Sequence, residues 1–238
     1  MLRIGSTERG DAGIDFTWTK KLQDLNIIIS KNLNDKLIGH LIDNQDKIIF
    51  HSTVTGHGGT IIEPKVPKLD FSFEQFEKLI LAGFDIKRFV LRVDPIIPTE
   101  DGLKVAKNVL EKYKNSGVER VRFSFLDMYE HVKIRFKKQG IELPYSSFHA
   151  PKEMIDNGLR MIEDYEKYYT FESCGEYLKY KIGCISKKDL EIAKIKGELN
   201  GSSFQRKACL CPANKKELLK DKKVCQHQCI YCYWQKEV

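Results

Sequence analysis

The chain has 238 residues, 42% of them hydrophobic, and carries 40 Lys and Arg against 33 Asp and Glu, a formal net charge of +7. That length and apolar content suit one large domain, or a domain with a small appendage, and exclude a disordered or fibrous chain. The modest positive excess favours anionic partners such as nucleic acid or phosphorylated metabolites. No apolar run is long enough to span a bilayer and no export signal is visible, so a cytoplasmic location with no membrane association is expected.

Strand-like runs alternate with helical patterns through most of the chain. Strands are predicted at 2–5, 26–30, 47–55, 88–94, 121–126 and 168–174. Ile27-Ile-Ile29 and Phe89-Val-Leu91 are apolar blocks of the kind buried on both faces of a parallel sheet. Ser72-Phe-Glu-Gln75 reads as a capping box, with Phe73, Phe76, Leu79 and Ile80 on one helix face and Gly83 as the stop. Leu103, Ala106, Val109, Leu110 and Tyr113 make a second stripe, closed by Gly117; Met154, Ile155, Leu159, Ile162 and Tyr165 make a third. The basic run from His131 to Lys138 has the composition of a solvated helix face or of an anion-binding patch. Repeated strand-helix-strand units imply right-handed crossovers and a parallel sheet, open or closed into a barrel. From about residue 175 the character changes to short elements, with a second capping box at Ser186-Lys-Lys-Asp189 and a cysteine-rich tail. We divide the chain accordingly into 1–174, a β/α unit, and 175–238, a cluster-binding segment packed on it. Within the tail, residues 217–224 are strongly charged and make a poor strand.

In a barrel, the residues that end each strand face one cavity, and here they are polar: Glu8, Ser30, Lys31, Thr53, Arg92, Asp94, Ser124 and Glu172. Arg92-Val-Asp94-Pro95 puts two opposite charges on one strand face before a proline that stops the strand. Such a pair can receive a carboxylate while remaining paired, or serve as a structural ion pair. Arg92, Asp94 and Glu172 are the candidate catalytic groups. Thr55-Gly-His-Gly-Gly59 follows a strand and offers either an anion nest or a plain connection.

Five of the seven cysteines fall in the last thirty residues, and Cys225, Cys229 and Cys232 read Cys-Gln-His-Gln-Cys-Ile-Tyr-Cys. The chance expectation for that three-two spacing in this composition is about 0.006, which sets coincidence aside. Three thiolates on a tight loop hold three irons of a 4Fe-4S cubane and leave the fourth iron open to a small molecule. A zinc knot is the alternative, although zinc sites usually present Cys-x2-Cys pairs. Cys174, Cys184, Cys209 and Cys211 form a separate constellation whose number suits a fully ligated second 4Fe-4S cluster or a structural zinc.

The triplet, with Tyr231 before its last cysteine, resembles the motif of the radical S-adenosylmethionine superfamily, although it lies at the C-terminal end of this chain. Together with Phe89-Val-Leu-Arg-Val-Asp-Pro-Ile96, Ser124-Phe-Leu-Asp-Met-Tyr129, Glu172-Ser-Cys174 and Gly183-Cys-Ile185, it makes the chain similar to an uncharacterised bacterial family of the DUF type. That family is described as carrying a radical-SAM-like cysteine cluster at its C-terminus, and the resemblance runs from about Asn26 to Trp234. It implies a partial (β/α) TIM-like barrel, circularly permuted, with the cysteine-rich tail over the barrel mouth. It also implies S-adenosylmethionine as cofactor beside the cluster, with Tyr231 next to the adenine. Glu8, in Gly5-Ser-Thr-Glu8, loosely resembles the acidic stretch that holds the methionyl amino group, and Ser30, Lys31, Thr53 and Ser124 complete the expected cofactor-binding set.

The function expected is a radical S-adenosylmethionine enzyme, supplied with electrons by a donor such as flavodoxin or ferredoxin. It would abstract hydrogen from an unidentified substrate, with nucleic acid as the first guess from charge. The alternative is a non-catalytic protein, either a zinc- or iron-sulfur-stapled nucleic-acid-binding module or an electron carrier.

Overall fold

A computed structural model describes residues 2–174, 178–201, 210–219 and 225–234. Among the described residues the strands are β1 (Ile4–Ser6), β2 (Leu25–Ser30), β3 (Ile48–Thr53), β4 (Phe89–Ile96), β5 (Arg120–Phe125), β6 (Thr170–Glu172) and β7 (Lys215–Glu217). They form one sheet in the order β6-β5-β4-β3-β2-β1-β7, and every pairing is parallel. The helices are α1 (Asp35–Asp43), α2 (Leu69–Leu81), α3 (Glu100–Tyr113), α4 (Glu130–Lys138), α5 (Lys152–Asp164) and α6 (Lys187–Ala193). Among the described residues the sheet is open, with β6 and β7 as its two edges, and no closed barrel is formed.

Side chains alternate across each strand, so one face gathers Ile28, Phe50, Phe89, Leu91, Val121 and Phe123 against the apolar stripes of α1, α2, α3 and α5. The other face carries Ile27, Ile29, Ile49 and Val90 and is covered in part by Leu190 and Ala193 of α6. Burial on both faces explains the unbroken apolar blocks of β2 and β4. Each fully buried aliphatic side chain stabilises the fold by roughly 1.5–3 kcal/mol. Farther along that second face the same alternation brings His51, Arg92, Arg120 and Arg122 inward.

Two local expectations are corrected. Ser72 does not cap α2, because the helix already starts at Leu69, with Lys68 as its N-cap residue and the Ser72 N–H bonded to the Lys68 carbonyl at 3.0 Å. Pro67 ahead of it, and Asp70 in the first turn beside the positive end of the dipole, favour that earlier start. Nor does Pro95 end β4, which runs to Ile96 with a register shift against β5 between Val93 and Ile96. That irregularity takes up a residue with no N–H for the ladder. The second capping box is present, with the Ser186 and Asp189 side chains each bonded to the other's backbone at the start of α6. Gly83, at φ +93°, ends the α2 stripe where a left-handed turn is required.

No helix among the described residues is long and apolar enough to cross a membrane.

Candidate metal centre

Cys225, Cys229 and Cys232 follow β7, and their loop is seated beyond the carboxyl ends of the central strands. Cys229, Ile230 and Tyr231 are buried in one apolar cluster with Val66, Ile97, Leu126, Met128, Val132 and Phe136. The Ile230 N–H donates to the Ile62 carbonyl at 3.1 Å, and the loop closes on itself through Gln228 N–H to Cys225 O at 3.2 Å and Cys232 N–H to Cys229 O at 3.1 Å. Gln228, between the first two cysteines of the triplet, adopts φ +55°, a left-handed conformation that tightens the loop.

Two buried carboxylates hold this loop, and neither stands out in the sequence. Asp11, between β1 and β2, is 2.8 Å from His227 Nε2 and accepts from Ser30 Oγ at 2.6 Å and from the Lys31 N–H at 2.6 Å. Burial opposes its charge, but the bonds from His227, Ser30 and Lys31 outweigh burial and hold its pKa below the usual value. Ser30 is therefore bonded to the carboxylate and not to the imidazole, which is not the order of a nucleophile relay. Glu63, in the loop between β3 and α2, accepts from Lys31 Nζ at 2.7 Å, from Thr55 Oγ1 at 2.6 Å and from the Tyr231 hydroxyl. Burial again opposes ionisation, and Lys31 with these bonds keeps Glu63 below the usual range. The glycine-rich loop is part of this support: Gly59 N–H donates to Glu63 O at 3.0 Å and His57 N–H to Thr55 Oγ1 at 3.2 Å. Its N–H groups shape the turn that carries Glu63, as a connection does.

Lys31 also donates to the Tyr231 hydroxyl at 2.7 Å and lies 5.3 Å from the centre of that ring. Burial works against its charge, but Glu63 and Cys229 raise its pKa overall. Arg135, from α4, donates to the Cys232 carbonyl, so this member of the basic run faces the cysteine loop. Lys133 pairs with Glu130 at 2.7 Å. The helix expected to be a basic surface is thus split between the cysteine loop and solvent. Without a metal, burial pushes the Cys229 thiol up to about 12 and the Cys225 thiol upward as well. A cation or cluster bound by these thiols would have to displace their protons, and Lys31 and Arg135 alongside suit the negative charge that the thiolates would then carry.

The expected mouth residues divide into groups. Arg92 pairs with Asp94, which also accepts from Ser124 Oγ, so β4 and β5 present one joined polar unit. Thr53 lies beside Arg92 in the sheet register. Glu172 is fully buried between Arg120, at 2.9 Å, and Arg122, at 2.7 Å, and Arg120 also reaches Asp189 at 2.8 Å. That closed ionic network ties β5, β6 and α6 together. Near it, His51 is fully buried, and neither ring nitrogen has a hydrogen-bond partner among the described residues. Burial, then Arg122, Arg92 and Arg120, hold its pKa well below 6.5. Glu8 lies elsewhere, bonded to Lys215 and close to Cys184 and Cys211. Cys209 falls outside the described residues.

Fold and site together define an all-parallel α/β protein with clustered thiols at the ends of its strands. Within that class, the chain belongs to the family described as a domain of unknown function, DUF1848, whose family model matches residues 16–234. Comparison with the curated proteins gives no match.

Proposed function

We propose that this protein is a radical-SAM-like iron–sulfur enzyme built on a circularly permuted partial β/α barrel. The observation that carries the proposal is the position of the triplet: it follows β7, an edge strand parallel to β1. Read from β7, the sheet runs in the order 7-1-2-3-4-5-6, which supports a barrel whose first strand has been moved to the end of the chain. Ligands of parallel α/β sheets collect outside the carboxyl ends of the strands, where this loop is packed.

A bound 4Fe-4S cluster with one open iron would supply one-electron reduction of S-adenosylmethionine, with the electron from a donor such as flavodoxin or ferredoxin, so that the cofactor would be cleaved to methionine and a 5'-deoxyadenosyl radical able to take a hydrogen atom from substrate. Cys225, Cys229 and Cys232 would hold three irons. Lys31 and Arg135 would offset the negative charge of the thiolates, while Asp11 through His227, and Glu63 through Tyr231, fix the loop. Arg92, Asp94, Ser124 and Thr53 offer a charged and hydroxylic surface for an amino-acid or substrate group at the mouth. Tyr231 is turned inward onto Glu63, so an adenine beside it would meet a ring already fixed by two partners. The carbonyl-bonded Arg135 and the apolar cluster around Cys229 would keep water from the site.

Anaerobic reconstitution with iron and sulfide, followed by incubation with a reductant and S-adenosylmethionine, tests the reading. A brown protein that consumes S-adenosylmethionine supports it. A brown protein that leaves the cofactor intact is an electron carrier, and a colourless protein that retains zinc is a binding module.

A further inference from the structure

A second group of thiols lies where the two edges of the open sheet approach each other. Cys174 comes two residues after β6, Cys184 lies between the 3-10 turn Leu178–Tyr180 and α6, and Cys211 precedes β7. The Cys211 thiol is in hydrogen-bond contact with both Cys174 and Cys184. Glu8, just beyond β1, joins them: one of its carboxylate oxygens and the sulfurs of Cys184 and Cys211 all lie within 4.8 Å of one another. Lys215 Nζ donates to Glu8 Oε2 at 2.6 Å and is 3.5 Å from Cys211 Sγ.

We propose that Cys174, Cys184, Cys211 and Glu8 form a mononuclear site for a divalent cation of the zinc class, which clasps the β6 and β7 edges together. Metal–sulfur bonds of about 2.3 Å place tetrahedral ligands about 3.8 Å apart. Three of the four donors, Glu8, Cys184 and Cys211, are already gathered within 4.8 Å of one another and need only a small contraction to reach that spacing, and Cys174 joins them through its contact with Cys211. A cubane, by contrast, holds its thiolates apart by the width of a four-iron core. Binding replaces three thiol protons with one dication and releases them to solvent. Lys215 holds Glu8 beside the thiols, and its ammonium offsets part of the excess charge of three thiolates and a carboxylate. The site does not depend on radical chemistry at the triplet, and it reassigns Glu8 from the methionyl group to the metal.

The test uses the full chain with Cys225→Ser, Cys229→Ser and Cys232→Ser combined, loaded with zinc and dialysed, and in parallel with Co(II) as a visible probe. The expected result is about one zinc per chain and an intense tetrahedral cobalt–thiolate spectrum. Glu8→Gln should weaken zinc binding by about tenfold or more. Cys211→Ser should abolish zinc binding; if it does not fold, the parent triple variant should still melt at a lower temperature after a chelator removes zinc. A folded triple variant that retains no zinc, or one that takes up roughly four irons with sulfide, overturns the site. Loss of zinc with Cys209→Ser but not with Glu8→Gln overturns the donor set.

Discussion

Asp11 is the residue on which the cysteine loop most depends, since one buried carboxylate binds His227, Ser30 and the start of the chain after β2. Removing one partner of a buried, hydrogen-bonded pair costs about 3–5 kcal/mol. Asp11→Asn should therefore lower the urea midpoint and speed alkylation of Cys225, Cys229 and Cys232 in metal-free protein. Unchanged midpoint and alkylation rates would show that the loop is held by something else.

His51 supplies a pH signature at the same scale. It is neutral in the fold because burial and three arginines depress its pKa, whereas in the unfolded chain it titrates near the ordinary value of 6.5. Below that value the unfolded state binds the extra proton. Its contribution is therefore present above about pH 6.5 and lost as pH falls toward the folded-state value, at no more than about 1.4 kcal/mol per pH unit. Denaturation at pH 7 and pH 5.5 should show a smaller acid loss in His51→Leu than in wild type, and equal losses in both would remove His51 as the cause.

The cysteine triplet is legible in the sequence because its signal is local, three cysteines within eight residues. Asp11 and Glu63 are not, because their partners in the loop are 216 and 168 residues away and neither sits in a periodic pattern. Arg135 was hidden for a related reason: composition marks a basic run, while the direction of each side chain depends on which helix face is buried.

Among the elements, α5 is set against β5 by Gly158. A Cβ at that position would come within 2.4 Å of two atoms of the Phe125 ring, which is itself buried. Gly158→Ala should raise the intrinsic helix preference of α5 yet destabilise the protein by about 1–3 kcal/mol, because overpacking outweighs propensity. Thermal or urea unfolding decides the sign, and a gain in stability would mean that the helix can shift away from the sheet. The stripes of α2, α3 and α5 follow from sequence because burial on one face imposes a helical period. The start of α2 does not, since a serine followed by a helical stripe is compatible with a cap and also with a buried position one turn inside. β7 is the harder case. Lys215–Glu217 has no apolar alternation, and its place in the sheet comes from pairing with β1 and from Leu218 and Leu219 in the core beyond it. Strand identity at an edge depends on the neighbour more than on the segment itself.

At the scale of the molecule, the sequence of units predicts a parallel sheet, but the order of its strands needs the long-range pairing of β1 with β7. The same topology brings the thiols after β6 and before β7 into contact although the sheet is not closed by hydrogen bonds. The net charge of +7 keeps nucleic acid as the first substrate class to test, with Lys137 and Lys138 as cations beside the half of α4 that faces the cysteine loop. Affinity for single-stranded RNA or DNA should fall steeply with salt, because neutralised phosphates release counterions, and Lys137→Glu with Lys138→Glu should weaken it. No binding at low salt would redirect the search to peptides and small metabolites.

The most direct measurement is the yield of 5'-deoxyadenosine from S-adenosylmethionine, after anaerobic reconstitution and reduction, in wild type and in Cys229→Ala. A triplet that leaves one iron open to the cofactor predicts turnover in wild type and none above background in the variant. Equal yields from the two proteins, or no 5'-deoxyadenosine from a wild type that carries a full cluster, would contradict it.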